Sequence, residues 1–184
     1  MHIRSDISSI EKFPRVFTFE MRQDDPSKCT SAKMRKLGLA RPVTKNAIPA
    51  DSIVLNPSSQ IVLIFADRET ALTDGLVVID CSWEKSAPIF QQKFRGQPRR
   101  LPALLAGNPT NYSKLGRLSS VEAVSAGLYI MGFEESARKF VSIYKWGETF
   151  LSLNQDPLDD YRKATSPDEI RILEKEYFPY LASQ

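Results

Sequence analysis

Short apolar runs alternate with charged or turn-forming stretches along the chain, and the period of the apolar positions changes midway. Val16-Phe17-Thr18-Phe19 is β-branched and aromatic, which predicts a first strand. Residues 28–37 predict a short helix stopped by Gly38. Ser52-Ile53-Val54-Leu55 predicts a second strand, ended by Asn56-Pro57. Ile61-Val62-Leu63-Ile64-Phe65 and Leu76-Val77-Val78-Ile79 are apolar without alternation, as in strands buried on both faces. A helix over residues 67–73 separates those two runs.

The second half reads as helices. Ser119-x-x-Glu122 fits a capping box, followed by an almost wholly apolar helix to Met131 with Gly132 as its stop. Phe133, Ala137, Phe140, Val141 and Tyr144 then fall at helical spacing. A further helix spans 147–153, and Ser166-Pro167-Asp168-Glu169 opens a last one, predicted over 167–180. The pattern predicts an α/β N-terminal lobe over 1–110 and a mainly helical C-terminal lobe over 111–184, without repeats or low-complexity linkers.

At 184 residues the chain can bury a core without disulfides or metals. Its single histidine, His2, stands beside Met1, so histidine triads and histidine metal sites are disfavoured. Cys29 and Cys81 lie too far apart for C-x-x-C chemistry, and no metal is expected. The eight glycines never come closer than five apart, which removes G-x-G-x-x-G and Walker loops. No apolar stretch approaches the ~20 residues of a membrane span, and the expected location is the cytoplasm.

Charge is uneven despite a net of +3. No acidic residue stands between Asp25 and Asp51 or between Glu84 and Glu122, and both intervals are rich in Lys and Arg. Such a distribution suits either a polyanion-facing surface or a solvated one.

Two stretches carry candidate chemistry. In Ile79-Asp80-Cys81-Ser82-Trp83 a buried strand ends in a carboxylate followed by an indole. Ligands of parallel α/β sheets bind beyond the carboxyl ends of strands. Asp80 can there serve as a base or hold a hydroxyl, or simply cap the next helix, while Trp83 can face a ligand or fill the core. The second stretch runs from Arg99 through Asn108-Pro109-Thr110-Asn111-Tyr112 to Ser120, a long polar loop leading into a helix N-terminus.

Asp25-Pro26-Ser27-Lys28-Cys29-Thr30, Asp80-Cys81-Ser82-Trp83, Arg100-Leu101-Pro102, residues 106–112 (Ala-Gly-Asn-Pro-Thr-Asn-Tyr), residues 118–123 (Leu-Ser-Ser-Val-Glu-Ala) and Lys145-Trp146-Gly147 occur in that order. Together they resemble the small-subunit rRNA aminocarboxypropyltransferase family of archaea and eukaryotes, over nearly the whole chain. The resemblance implies a SPOUT-like parallel sheet with a C-terminal trefoil knot that binds S-adenosylmethionine. It implies transfer of the 3-amino-3-carboxypropyl group to N3 of a pseudouridine, usually N1-methylated, in small-subunit rRNA, with methylthioadenosine released. It further implies a monomer acting on rRNA or a pre-ribosomal particle during ribosome biogenesis. The alternative on the same scaffold is a SPOUT-type RNA methyltransferase, and a third reading is a non-catalytic assembly factor.

Matching motifs assign the site residue by residue. The resemblance implies Thr30 and Ser120 at the methionine carboxylate, Leu55 and Pro57 on the adenine, and the Ile79 carbonyl at the ribose. It implies Leu101 and Gly116 at the adenine edge through backbone groups, with Leu118 and Ala123 closing the pocket. Trp83 would pack on the adenine and bury the S-methyl group, and Asp80 is the candidate proton acceptor or a structural carboxylate. Lys28, Lys33, Arg35, Lys36, Lys93, Arg95, Arg99, Arg100, Lys114 and Arg117 are the candidate RNA contacts. The sequence departs from the family pattern at Ser86, Gly107, Thr110 and Ser113, where Ala, Ala, Val and Gly are usual.

Overall fold

The computed structural model describes residues 13–21 and 29–180. His2, Lys28 and the first four residues of the Asp25–Thr30 motif lie outside the described residues. The elements are β1 (Val16–Glu20), α1 (Thr30–Lys36), β2 (Arg41–Pro42), β3 (Ile53–Leu55), α2 (Arg68–Asp74), β4 (Leu76–Asp80), α3 (Ser86–Phe90), β5 (Gln97–Arg99), α4 (Ser120–Ile130), α5 (Glu134–Val141), α6 (Gly147–Leu153), α7 (Gln155–Lys163) and α8 (Pro167–Tyr177).

The strands form one sheet in the order β2-β1-β4-β3-β5, with every neighbouring pair parallel. The α/β class with a parallel sheet is therefore as expected. β4 lies at the centre, in register with β1 from Val16 opposite Leu76 to Glu20 opposite Asp80, and with β3 from Ile53 opposite Leu76. Its residues divide by parity: Leu76 and Val78 face the large core, and Val77 and Ile79 face a smaller one. The large core is capped by α4, whose Val121, Val124, Leu128 and Ile130 are fully buried. The smaller core is closed by Ile89 and Phe90 of α3 with Ile48. A central strand covered on both faces needs the unbroken apolar run that Leu76–Ile79 supplies.

Ser119 caps α4 as the box predicts, and Gly132 follows it with φ 81°, a conformation that favours glycine. Ser166 caps α8, which ends at Tyr177 rather than at 180. Helix α1 begins at Thr30, with Cys29 as its cap.

The run Ile61–Phe65 is a correction. It is not a strand: only Val62 pairs, through an isolated bridge to Arg100, and Phe65 already starts a 3-10 turn. Ile61 and Phe65 are 51% and 43% exposed, so the run buries only its middle. Four elements escape the pattern: β2, α3, β5 and α7. β2 is two residues long, and α7 carries Pro157 in its first turn, where the missing N–H costs nothing.

Candidate functional site

The carboxyl ends of β3 and β4 and the N-termini of α1 and α4 converge on a cavity of about 1080 Å³. It lies beyond the carboxyl ends of the central strands, the place where open α/β sheets bind ligands. Thr30, Leu55, Pro57, Ile79, Trp83, Leu101, Gly116, Leu118, Ser120 and Ala123 all line it, together with Asp80. Residues spread over almost a hundred positions of sequence are thus brought to one wall.

Asp80 ends β4 and faces three side-chain donors. Oδ1 accepts from the Ser120 hydroxyl, and Oδ2 accepts from Ser31 Oγ and Cys29 Sγ, both at 2.9 Å. The carboxylate thereby ties the central strand to the first turns of α1 and α4. Burial, followed by the hydrogen bond to Asp80, pushes the Cys29 thiol above its ordinary range, so it is a poor nucleophile. Thr30 Oγ1 accepts the Val121 N–H at 3.2 Å, which leaves its own O–H to donate.

Trp83 is fixed by its indole N–H, which donates to the Leu118 carbonyl at 2.9 Å. The Arg117 guanidinium sits 5.3 Å from the ring centre, within cation–π range. Ser86 is buried and its hydroxyl donates to the Trp83 carbonyl at 2.9 Å; neither Ser86 nor Ala87 lines the cavity.

Glu122, at 0% exposure, does more than close the capping box. Oε1 accepts the N–H groups of Gly107 (2.7 Å) and Asn108 (2.9 Å), and Oε2 accepts from Asn108 Nδ2 and Ser119 Oγ (both 2.7 Å) and Ser119 N (2.6 Å). A buried carboxylate is tolerable when its lone pairs are met by donors, here helped by the α4 N-terminus. It shapes the 107–119 loop that forms one wall. Gly107 departs from the family Ala for a visible reason: a Cβ there would lie 2.6 Å from Phe150 backbone atoms.

The wall at 100–103 is held from the far end of the chain. Glu174 of α8 accepts two bonds from Arg100 (2.7 and 3.0 Å) and one from the Ala103 N–H (2.8 Å). Cys29, Asn56, Tyr144, Trp146 and Glu174 also line the cavity, and sequence reasoning gave none of them a role. For Trp146 the signal was present, in the Lys145-Trp146-Gly147 motif.

A model of the family described as "Ribosome biogenesis protein, C-terminal" matches residues 53–178. The 16S rRNA aminocarboxypropyltransferase of Thermoplasma acidophilum is 43% identical over 163 residues, covering 89% of this chain and 98% of that protein. The one from Sulfurisphaera tokodaii is 43% identical, covering 88% and 94%. The chain belongs to this family. The structure of the SAM-dependent rRNA:acp-transferase Tsr3 from Vulcanisaeta distributa matches with a TM-score of 0.81 at 37% identity, over 94% of this chain and all of that one.

Among the candidate RNA contacts of this family member, the side chains divide. Lys36, Lys93, Lys114 and Arg117 are exposed. Arg35 pairs with Glu20 (3.3 Å), and Arg95 donates to the Asn46 carbonyl (2.9 Å) at the surface. Three have partners within the fold. Arg99 is locked in a part-buried pair with Asp67 (3.1 Å), Arg100 is held by Glu174, and Lys33 donates to the Ile143 carbonyl at 2.5 Å. Their charges are engaged in holding the fold together, although each side chain is only partly buried.

Proposed function

We propose that this protein transfers the 3-amino-3-carboxypropyl group of S-adenosylmethionine to N3 of a pseudouridine, N1-methylated or not, in small-subunit rRNA, releasing methylthioadenosine. The observation that carries the reading is the meeting of all eleven family-matched residues on one cavity. The cavity fits the donor. It has an apolar end, formed by Leu55, Pro57, Leu101, Leu118 and Ala123, and a hydroxyl-bearing end at Thr30 and Ser120, beside the α4 N-terminus.

When bound, S-adenosylmethionine supplies a sulfonium that activates three carbons toward attack. In this reading the Trp83 ring, anchored on Leu118, covers the methyl carbon and leaves the aminocarboxypropyl carbon accessible. Thr30 donates its O–H, and Ser120 its backbone N–H at the start of α4, to the amino-acid carboxylate. Positioning of this kind accounts for most of the catalysis. Asp80 stands at the same end and takes the N3 proton, an effect of ~10²–10⁴-fold. Lys36, Lys93, Lys114 and Arg117, joined by Arg35 and Arg95, would meet phosphates.

The same reading carries further assignments. The fold is SPOUT-like with a trefoil knot in its C-terminal part. An N-terminal lobe over 1–110 and a C-terminal lobe over 111–184 share the donor site. The enzyme acts as a cytoplasmic monomer on rRNA or a pre-ribosomal particle. What supports the topology is the parallel sheet, and what supports the partner is the naming of the relatives.

The test is a small-subunit rRNA fragment incubated with donor labelled separately in methyl and carboxyl positions. Carboxyl label alone in the RNA is the expected result. Methyl label alone would replace the reading with a SPOUT-type methyltransferase, and neither label with a binding protein.

A further inference from the structure

Tyr144 and Trp146 sit in the turn between α5 and α6 and line the donor cavity. Their rings stack, with centroids 4.8 Å apart and planes 25° apart. The Lys33 ammonium lies 4.1 Å from the centre of the Tyr144 ring and is pinned by the Ile143 carbonyl. Tyr144 is therefore held by both Lys33 and Trp146, and both rings of the stack border the cavity. Both rings are only half-buried, although each also packs on the main core.

The stack is tied to the reacting end through Lys33, which stands on α1 one turn beyond Cys29, the cap that donates to Asp80. Burial, then the charges of Cys29 and Asp80, pushes the Tyr144 hydroxyl above its ordinary range, which puts that ring in the field of the same cluster that ends β4. An indole face backed by a phenol held in this way is rigid, flat and partly desolvated. Such a face suits a planar heterocycle more than a flexible chain, and a base that is modified at its pairing edge must leave its helix to react.

We propose that Trp146 is the platform on which the acceptor nucleobase stacks, with Tyr144 and Lys33 as positioning residues that fix the indole. The inference rests on the RNA-modifying function above and deepens it by naming the acceptor subsite.

The test is transfer by the full chain into the rRNA fragment, under wild type, Trp146→Phe, Trp146→Leu and Trp146→Ala, with the donor dissociation constant measured for each. Stacking on an aromatic is worth roughly tenfold per base. The Leu and Ala variants are expected to raise KM for RNA about tenfold or more. The Phe variant should stay within threefold of wild type, and donor affinity within twofold throughout. The Leu variant fills space without a π-face, so Leu behaving like Phe would overturn the proposal. A fall in donor affinity that matches the fall in transfer would also overturn it, by making Trp146 part of the donor pocket. Methyl label entering RNA with the wild type would sink the aminocarboxypropyl reading while leaving the comparison of Phe with Leu intact.

Discussion

Glu122 grips Asn108 twice: its carboxylate accepts the Asn108 backbone N–H at 2.9 Å and the side-chain amide at 2.7 Å. Asn108 Oδ1 in turn accepts the Asn111 N–H at 3.0 Å. The first turn of α4 and the loop that walls the cavity are thus one hydrogen-bonded unit.

Glu122→Gln keeps the shape but turns an NH₂ toward N–H donors that it cannot satisfy. The expected cost is about 3 kcal/mol, read as a lower urea midpoint with an unchanged slope. Donor affinity should fall with it, because the loop carries the Gly116 and Leu118 wall.

Trp83 and Asp80 are expected to separate binding from chemistry. Trp83→Ala removes the indole and its bond to Leu118, and should weaken donor binding roughly 30-fold, about 2 kcal/mol. Asp80→Asn should slow transfer at least ~10²-fold with donor affinity little changed. If affinity and stability fall together for Asp80→Asn and the pH–rate profile keeps its shape, the carboxylate is only the clasp between β4, α1 and α4.

Ser113 holds φ 62°, in the left-handed region, at a position where the family usually has glycine. Ser113→Gly should raise stability by about 0.5–1 kcal/mol. Calorimetry would read this as a melting temperature higher by about 2–3 °C for a chain of this size.

Lys93 and Lys114 are expected to act additively on RNA and not on the donor. Each alanine variant should reduce the slope of log affinity against log salt by ~0.7–0.9. An unchanged slope for Lys114→Ala would remove that residue from the interface.

The Tyr177 hydroxyl donates to Asp160 Oδ2 at 2.6 Å and joins α8 to α7. The bond, reinforced by Lys163, holds Asp160 below its ordinary range, so its contribution exists above that range and is lost as pH falls through the lowered value. The same bond pushes Tyr177 up to about 12, so the contribution is complete below pH ~10 and lost as pH rises through 12. Tyr177→Phe should flatten both edges of the stability–pH curve.

Local signals in the sequence were dependable where one element supplied them. The Ser119–Glu122 capping box, the Ser166-Pro167 start and the unbroken Leu76–Ile79 run each formed as read. Ile61–Phe65 has the same composition as a buried strand, but whether a run pairs depends on neighbours far along the chain. The cavity residues were legible only as ordered motifs; their meeting is a product of topology. The partners of Glu122, Glu174 and Asp80 lie up to 74 positions away, beyond the reach of any periodicity. For Arg99 and Arg100 the charge was visible while the buried carboxylates opposite them were not.

The grip of Glu174 on residues 100–103 has a consequence in time. Among the described residues, every other one that lines the donor cavity precedes it in the chain, the last being Trp146. A polypeptide made from its N-terminus outward folds as it emerges, so this wall is the last to be secured. A chain not yet extended through α8 lacks the clamp, so this wall closes only after the other described lining residues are in place.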